Sequence, residues 1–342
     1  MSTDNKCNGQ YPYKLSICIP TYNRSGYLRR CLDLVIPQVQ EFEGRIELVI
    51  SDNCSTDNTK QVVDEYSERY PIRYFKNDQN YGINHNILFI TQSRAEGEFC
   101  WMLGDDDRIR EGTIRKLMSI LDQEKDIDFV FINFLIELID EESKKAAFEG
   151  KIANHEVERF FGCKDLKEGR KEFDSIISDD MFSLTAIYSS VFRVSVCRDE
   201  ALRFNISDEF SNLNSTLTIT IIFIDTMHGR MGYSTGIPWI VCGTKASWTK
   251  YSFAATMRLF ELFDYQEEHG IPPQLVKKQR KAYLLSSSGF FLKSYFGNKI
   301  MNQNTPYIDQ FRPFRFLVRH SKYSELYFSV IDLIVLKFKN YI

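Results

Sequence analysis

After the apolar run Phe99–Leu103 the chain reads Gly104-Asp105-Asp106-Asp107. Three adjacent carboxylates repel one another, so the arrangement calls for a cation. Their hard oxygens suit Mg2+ or Mn2+, which take one or two protein carboxylates and complete the shell with phosphate oxygens and water. Three earlier clusters carry a different chemistry: Pro20-Thr21-Tyr22-Asn23-Arg24, Ser51-Asp52-Asn53-Cys54-Ser55-Thr56-Asp57, and Asn77-Asp78-Gln79-Asn80-Tyr81-Gly82 leading into Asn84 and Asn86. They offer amides, hydroxyls and, at Asp52, an acid. Such groups suit a nucleoside, because a carboxylate accepts from a base or ribose donor and helix N-termini favour phosphate oxygens. Any one cluster alone reads as a solvated turn.

The elements that must position these clusters are legible around them. Short apolar runs, LSICI (15–19), IELVI (46–50), IRYF (72–75), FCWML (99–103) and DFVFINFLIEL (128–138), alternate with GYLRRCLDLVIPQ, NTKQVVDEYSERY, INHNILFITQSR and TIRKLMSILDQ, which have helical spacing. Strand, helix, strand, helix at these lengths predicts βαβ units: an α/β fold with a mainly parallel central sheet and helices on both faces. Each polar cluster then falls at the carboxyl end of a strand, the edge where such sheets bind ligands. That shared placement, rather than any one loop, predicts a site.

Further along, residues 140–175 turn polar and charged, and FSLTAIYSSVFRV (182–194) and IPWIVCG (237–243) read as strands. LNSTLTITIIFIDTM (213–227) fits either a buried helix or a strand, and helical spacing dominates after about 250. The composition, 43% hydrophobic and 26% charged over 342 residues, supports a sizeable core. A formal net charge of -3 provides no field for nucleic acid, so no nucleic-acid partner is expected. No run reaches the roughly 18 apolar residues of a membrane span. The start MSTDNKCNGQYPYK lacks a secretory apolar segment, and the eight cysteines form no C-x-x-C pair. Reduced thiols in a cytoplasmic protein are therefore expected. Neither G-x-G-x-x-G nor a P-loop motif is present.

Taken in order, CIPTYNR, ISDNCSTDNT, NDQNYGINHN and WMLGDDD resemble the signature of glycosyltransferase family 2, the inverting nucleotide-sugar enzymes with the GT-A fold. The glycine ahead of the aspartates and the Pro238-x-x-x-Cys242 segment are similar to the abequosyltransferase-like subgroup of O-antigen enzymes, which implies a 3,6-dideoxyhexosyl donor. The resemblance implies a nucleotide-sugar-binding half at 14–140, an acceptor-side half at 141–250 and a C-terminal helical region at 251–342. Thr21 and Asp52 match positions that hold base and ribose. Asn80, Gly82 and Asn86 match the loop and helix start beside the nucleotide, and Pro20, Tyr22, Asn23, Arg24, Asp105 and Asp106 complete the substrate side. Asp106 and Asp107 match the metal acids, for Mn2+ or Mg2+. Gly104 stands where the family often has a first acid, so either Asp105 compensates or the ribose contact is lost.

The implied reaction is direct displacement, in which an acceptor hydroxyl attacks the anomeric carbon as the nucleoside diphosphate leaves. A carboxylate base should lie in the second half, at Asp208 or Glu209, or alternatively at Asp179 or Asp180. The same residues also read as helix-capping acids, and His228 reads more readily as structural than as a metal ligand. The implied partners are a nucleotide-diphosphate sugar and a glycan acceptor, undecaprenyl-linked, in O-antigen or capsular polysaccharide synthesis. FRPFRFLVRHSKYSELYFSVIDLIVLKFKNYI, basic and aromatic, suits peripheral membrane contact and equally a pair of helices packed on the catalytic unit. Two other functions compete: a sugar nucleotidyltransferase, which should carry a Gly-rich basic loop after the first strand, and a catalytically silent nucleotide-sugar-binding module.

Overall fold

The computed structural model describes residues 11–137, 160–161, 166–179, 185–206, 208–243 and 252–281. Its strands in chain order are β1 (Tyr13–Thr21), β2 (Ile46–Asp52), β3 (Ile72–Lys76), β4 (Gly97–Met102), β5 (Arg108–Ile109) and β6 (Phe129–Phe131). They continue with β7 (Phe134–Glu137), β8 (Phe160–Phe161), β9 (Gly169–Glu172), β10 (Ser190–Arg193), β11 (Met231–Ser234) and β12 (Ile240–Cys242). The helices are α1 (Ser25–Val39), α2 (Thr59–Ser67), α3 (Ile83–Phe89), α4 (Thr113–Gln123) and α5 (Phe173–Asp179). After them come α6 (Val194–Arg203), α7 (Leu213–Thr216), α8 (Thr218–Met227) and α9 (Ser252–Glu268).

β1 to β4 pair in parallel in the order β3-β2-β1-β4. β10 lies antiparallel between β4 and β6, β11 joins β6 in parallel, and β9 closes the edge antiparallel, giving an eight-stranded mixed sheet. The crossovers β1-α1-β2 and β2-α2-β3 step one way and β3-α3-β4 steps the other. Right-handed connections therefore put α1 and α2 on one face and α3 on the opposite one. Every residue of β2 is buried, which explains its unbroken apolar reading.

The run at 128–138, read from sequence as one strand, divides. β6 belongs to the large sheet and β7 to a second sheet of order β5-β12-β7-β8. Asn133 makes the division. It is fully buried, donating its backbone N–H to Thr235 Oγ1 (2.8 Å) and its Nδ2 to the Gly236 carbonyl (2.7 Å), while its Oδ1 accepts from Phe134 N (2.9 Å). An amide that satisfies its own backbone this way takes the chain off the first ladder.

The ambiguous stretch 213–227 is helical despite its Ile and Thr content. A reciprocal capping box between Asn212 and Ser215 starts it. Thr216, Thr218 and Thr226 then return their hydroxyls to the carbonyls of Asn212, Asn214 and Ile222, and nearly all of α8 is buried. Packing on all sides overrides the β preference.

The edge at the amino ends of the parallel strands, where antiparallel β10 ends, is tied by a chain of ions, Lys14–Glu98–Arg193–Asp128–Arg230, running across β1, β4, β10, β6 and β11. The six cysteines among the described residues are unpaired. No helix among the described residues is long and apolar enough to cross a membrane. The segment 282–342, where the membrane-contact reading falls, lies outside the described residues, as does Asp180.

Candidate functional site

The four polar loops meet at the carboxyl ends of β1 to β4, as their positions predict. Leu103 N donates to the Cys18 carbonyl (3.0 Å), carrying the acidic loop up beside the end of β1. Each aspartate then finds a different answer to its neighbours' charge. Asp105 accepts from Thr21 Oγ1 (2.8 Å) and pairs with Arg24 Nη1 (3.2 Å). Asp106 pairs with Arg24 Nη2 (2.6 Å). Asp107, expected together with Asp106 as a metal acid, turns inward: its two oxygens accept from the backbone N–H groups of Gly104 (3.1 Å) and Gly243 (3.0 Å). Burial pushes Asp105 up to about 7 against the pull of Arg24. Burial and then Asp106 push Asp107 up as well.

Gly104 and Gly243 are glycines because of these contacts. A Cβ at Gly104 would stand 2.4 Å from Asp107 Oδ2, and one at Gly243 would stand 2.6 Å from Asp106 Cγ. The position expected to hold a first acid therefore has room for no side chain while Asp107 is folded back. Gly243 is a site residue that reading the sequence missed, although the neighbouring Pro238–Cys242 segment marked the place.

Asp52 is fully buried. One oxygen accepts from Ser55 N (2.8 Å) and the other from the Tyr74 hydroxyl, so it organises the second loop from beneath. Asn23 zips the first loop to the second: its N–H donates to Ser55 Oγ (2.8 Å) and its Oδ1 accepts from Thr56 N (2.7 Å). Tyr22 is exposed at the rim, and Pro20 is half-buried. Asn53 Nδ2 reaches Asn80 Oδ1 (2.7 Å) and the Gly82 carbonyl (2.9 Å). Asn86, expected beside the nucleotide, is buried, clasping Ser51 through both ends of its amide. Below this amide network lies Arg94, whose guanidinium is held by Ser51 Oγ, Asn77 Oδ1 and Asn86 Oδ1 between the rings of Phe75 and Phe89. No carboxylate is among those partners. Sequence reading did not single out Arg94, since its role appears only when helix α3 folds back over β2.

Of the expected bases, Glu209 crosses to the donor side. Its Oε1 accepts from Asn84 N (2.6 Å) at the start of α3, while burial raises its pKa against the backbone amides there. Gly82, at φ 91° and ψ 170°, lies so close that a Cβ would stand 2.0 Å from Glu209 Oε2. Asp208 is exposed on the same loop. Asp179 is paired with Lys171 (3.0 Å) and Lys278 (2.6 Å). His228 precedes β11 at the amino end of the strands, 2.9 Å from Asp174, remote from the acids. A cleft of about 360 Å³ opens between Phe204–Ile206, α7 and Glu261, lined by Asn205, Asn212 and Asn214; Asp208 is not part of its lining.

Among the described residues, no group of three His, Cys, Asp or Glu side chains forms a ready-made metal cage. A hard cation that takes one or two carboxylates and completes its shell with phosphate and water needs none. Asp105 and Asp106 fit that demand, because their oxygens already converge on one cationic group, the Arg24 guanidinium.

Residues 16–166 match the family model described as glycosyl transferase family 2. Among curated proteins, the abequosyltransferase RfbV of Salmonella typhimurium is 40% identical over 115 residues, 33% of this chain and 34% of that protein. The GalNAc(5)-diNAcBac-PP-undecaprenol beta-1,3-glucosyltransferase of Campylobacter jejuni is 32% identical over 214 residues, 61% of this chain and 59% of that protein. The chain thus spans between a third and three-fifths of the length of these relatives. Among solved structures, residues 1–349 of TarS from Staphylococcus aureus superpose with a TM-score of 0.53 at 14% identity, covering 91% of this chain and 93% of that one. The last comparison shows a shared GT-A fold. With the four loops gathered at one sheet edge and this family model spanning them, residues 16–166 are a glycosyl transferase family 2 domain.

Proposed function

We propose that the chain transfers a glycosyl group, with inversion, from a nucleoside diphosphate sugar to a hydroxyl of a growing surface glycan carried on a lipid. One observation carries the reading: two acids on adjacent residues, Asp105 and Asp106, present oxygens to a single cation seat at the edge where the nucleoside-type loops converge. The relatives' names support the substrate class, one acting on an undecaprenol-linked glycan and another on abequose; a 3,6-dideoxyhexose donor is the finer form of the proposal.

The donor lies across residues 14–140, its nucleoside against Thr21–Arg24 and the Asn53–Ser55 turn that Asp52 supports from below. Asn80 and Gly82 form the opposite wall. Asp106 with Asp105 would hold Mn2+ or Mg2+, and the bound ion supplies Lewis-acid stabilisation of the departing diphosphate. Asp107 keeps the loop turned so that the other two acids face Arg24. The acceptor enters on the 141–250 side, through the amide-lined cleft between Phe204–Ile206 and α7, two stretches that flank Asp208 in the sequence. Asp208 takes the acceptor's proton, a contribution worth about 10²–10⁴ in rate. Glu209, engaged by the start of α3, holds the donor loop in place.

The test has two arms. Thermal stabilisation with Mn2+ is measured across uridine, cytidine, thymidine and guanosine diphosphate sugars, followed by release of the nucleoside diphosphate with and without acceptor. One donor should stabilise the chain and be turned over, and Asp106→Asn should abolish both. No stabilisation by any donor defeats the proposal. Asp208→Ala should lower kcat by about 10²-fold or more with donor KM unchanged; full turnover in that variant removes Asp208 as base.

A further inference from the structure

The contacts of Arg24 go beyond substrate binding. It caps the start of α1, and its side chain reaches across the site onto the acidic loop. Its guanidinium lies 4.6 Å over the ring of Tyr27 and takes one oxygen from each of two aspartates, 3.2 Å to Asp105 Oδ1 and 2.6 Å to Asp106 Oδ2. All three side chains are well covered, 17% exposed for Arg24, 4% for Asp105 and 11% for Asp106. The third acid does not share in this, because both its oxygens accept from backbone N–H groups. Because Asp105 Oδ2 is taken by Thr21, an ion bridging the two acids would need Asp105 Oδ1, and Arg24 covers that oxygen together with one of Asp106.

We propose that Arg24 is a resident counter-cation, occupying the divalent ion's seat until the ion enters and then swinging out to face the donor's diphosphate. The proposal rests on the metal reading above. A guanidinium and a metal ion cannot share one pair of carboxylate oxygens, since each would desolvate and repel the other at contact distance. Without a resident cation the three adjacent acids would repel one another under cover. With it, the loop is held closed before any metal arrives. On exchange, the displaced guanidinium needs an anion, and the planar fork of arginine matches phosphate oxygens. Metal and donor then bind cooperatively through one side chain, without any change in the fold.

The test is Mn2+ affinity of the full chain without donor, read by electron paramagnetic resonance of free Mn2+. Arg24→Met removes the competitor while keeping the apolar stem over Tyr27. It should bind Mn2+ about fivefold tighter, the scale of one partly buried ion pair, with Arg24→Lys in between. In chelator its thermal midpoint should fall below wild type, and Mn2+ should raise it by more than it raises wild type. As a control, Lys76→Met, which removes a charge at the same sheet edge whose ammonium holds the Ser55 carbonyl, should change Mn2+ affinity less than about twofold. Equal or weaker Mn2+ binding by Arg24→Met overturns the exchange and leaves the metal reading standing. Absence of Mn2+ binding by both wild type and variant overturns the metal reading and the exchange with it. If Arg24→Met does not fold, Arg24→Lys decides: affinity equal to wild type refutes the exchange, and tighter binding supports it.

Discussion

Gly82 and Glu209 come from opposite halves of the chain and meet at the start of α3, and their contact can be measured as a coupling energy. Gly82 has φ 91° and ψ 170°, a conformation essentially reserved for glycine, so any side chain there strains the backbone by about 2 kcal/mol. Its Cβ would also stand 2.0 Å from Glu209 Oε2 and force the carboxylate away from Asn84 N. Loss of a charged hydrogen bond of that kind costs about 2 kcal/mol. Gly82→Ala should therefore destabilise by about 4 kcal/mol, and Glu209→Ala, which loses only the hydrogen bond, by about 2 kcal/mol. In the double variant the hydrogen bond can be lost only once, so its cost should be about 4 kcal/mol rather than the sum of 6, a coupling of about 2 kcal/mol. Urea denaturation of the four proteins, with m-values checked for constancy, supplies the numbers. A double variant as unstable as the sum of the singles would show that the two residues do not meet, and the cross-site latch would have to be abandoned.

Two further outcomes follow from groups around the same loop. Burial raises Glu209 above the ordinary 4.5, so the native chain holds that proton more tightly than the unfolded one and stability falls as pH rises from 4.5 towards the raised value. Glu209→Gln should gain on wild type in urea midpoint as pH climbs from 4 to 7; parallel profiles would contradict the assignment. Arg94→Met leaves Ser51, Asn77 and Asn86 without their shared donor, so donor KM should rise about tenfold while kcat stays within about twofold. A fall in kcat at unchanged KM would refute a role confined to the donor loop.

How far the sequence carries the reader differs from element to element. β1, β2 and β4 are buried on both faces, and that double burial writes itself as unbroken apolar runs ending in polar loops. Their shared edge, where the candidate site lies, was legible in those runs. The break at Asn133 was not, because a single amide inside an apolar run gives no warning that its partners will be Thr235 and Gly236, a hundred residues on. α8 was ambiguous for a related reason: its β-branched residues obey packing on all sides, and packing is not a local property. Within the site, the residue types were legible and their division of labour was not. Three equal letters at 105–107 become one acid shared between a threonine and an arginine, one on the arginine alone and one on the backbone. Likewise Glu209 was visible as an acid, but its partner at Asn84 lies in a loop far away along the chain.

Three short connections among the described residues join the two sheets, and the acids occupy one of them. β4 ends in the large sheet, β5 begins in the small one, and residues 103–107 span the gap. The others are Asn133, between β6 and β7, and residues 235–239, between β11 and β12. The acidic loop is thus a short girder whose footings stand on separate slabs, and any tilt of one slab against the other is felt as a change in the spacing of its carboxylates. Under the proposed metal role, the carboxylate spacing an ion would meet is then set partly at Asn133 and at residues 235–239, away from the acids themselves.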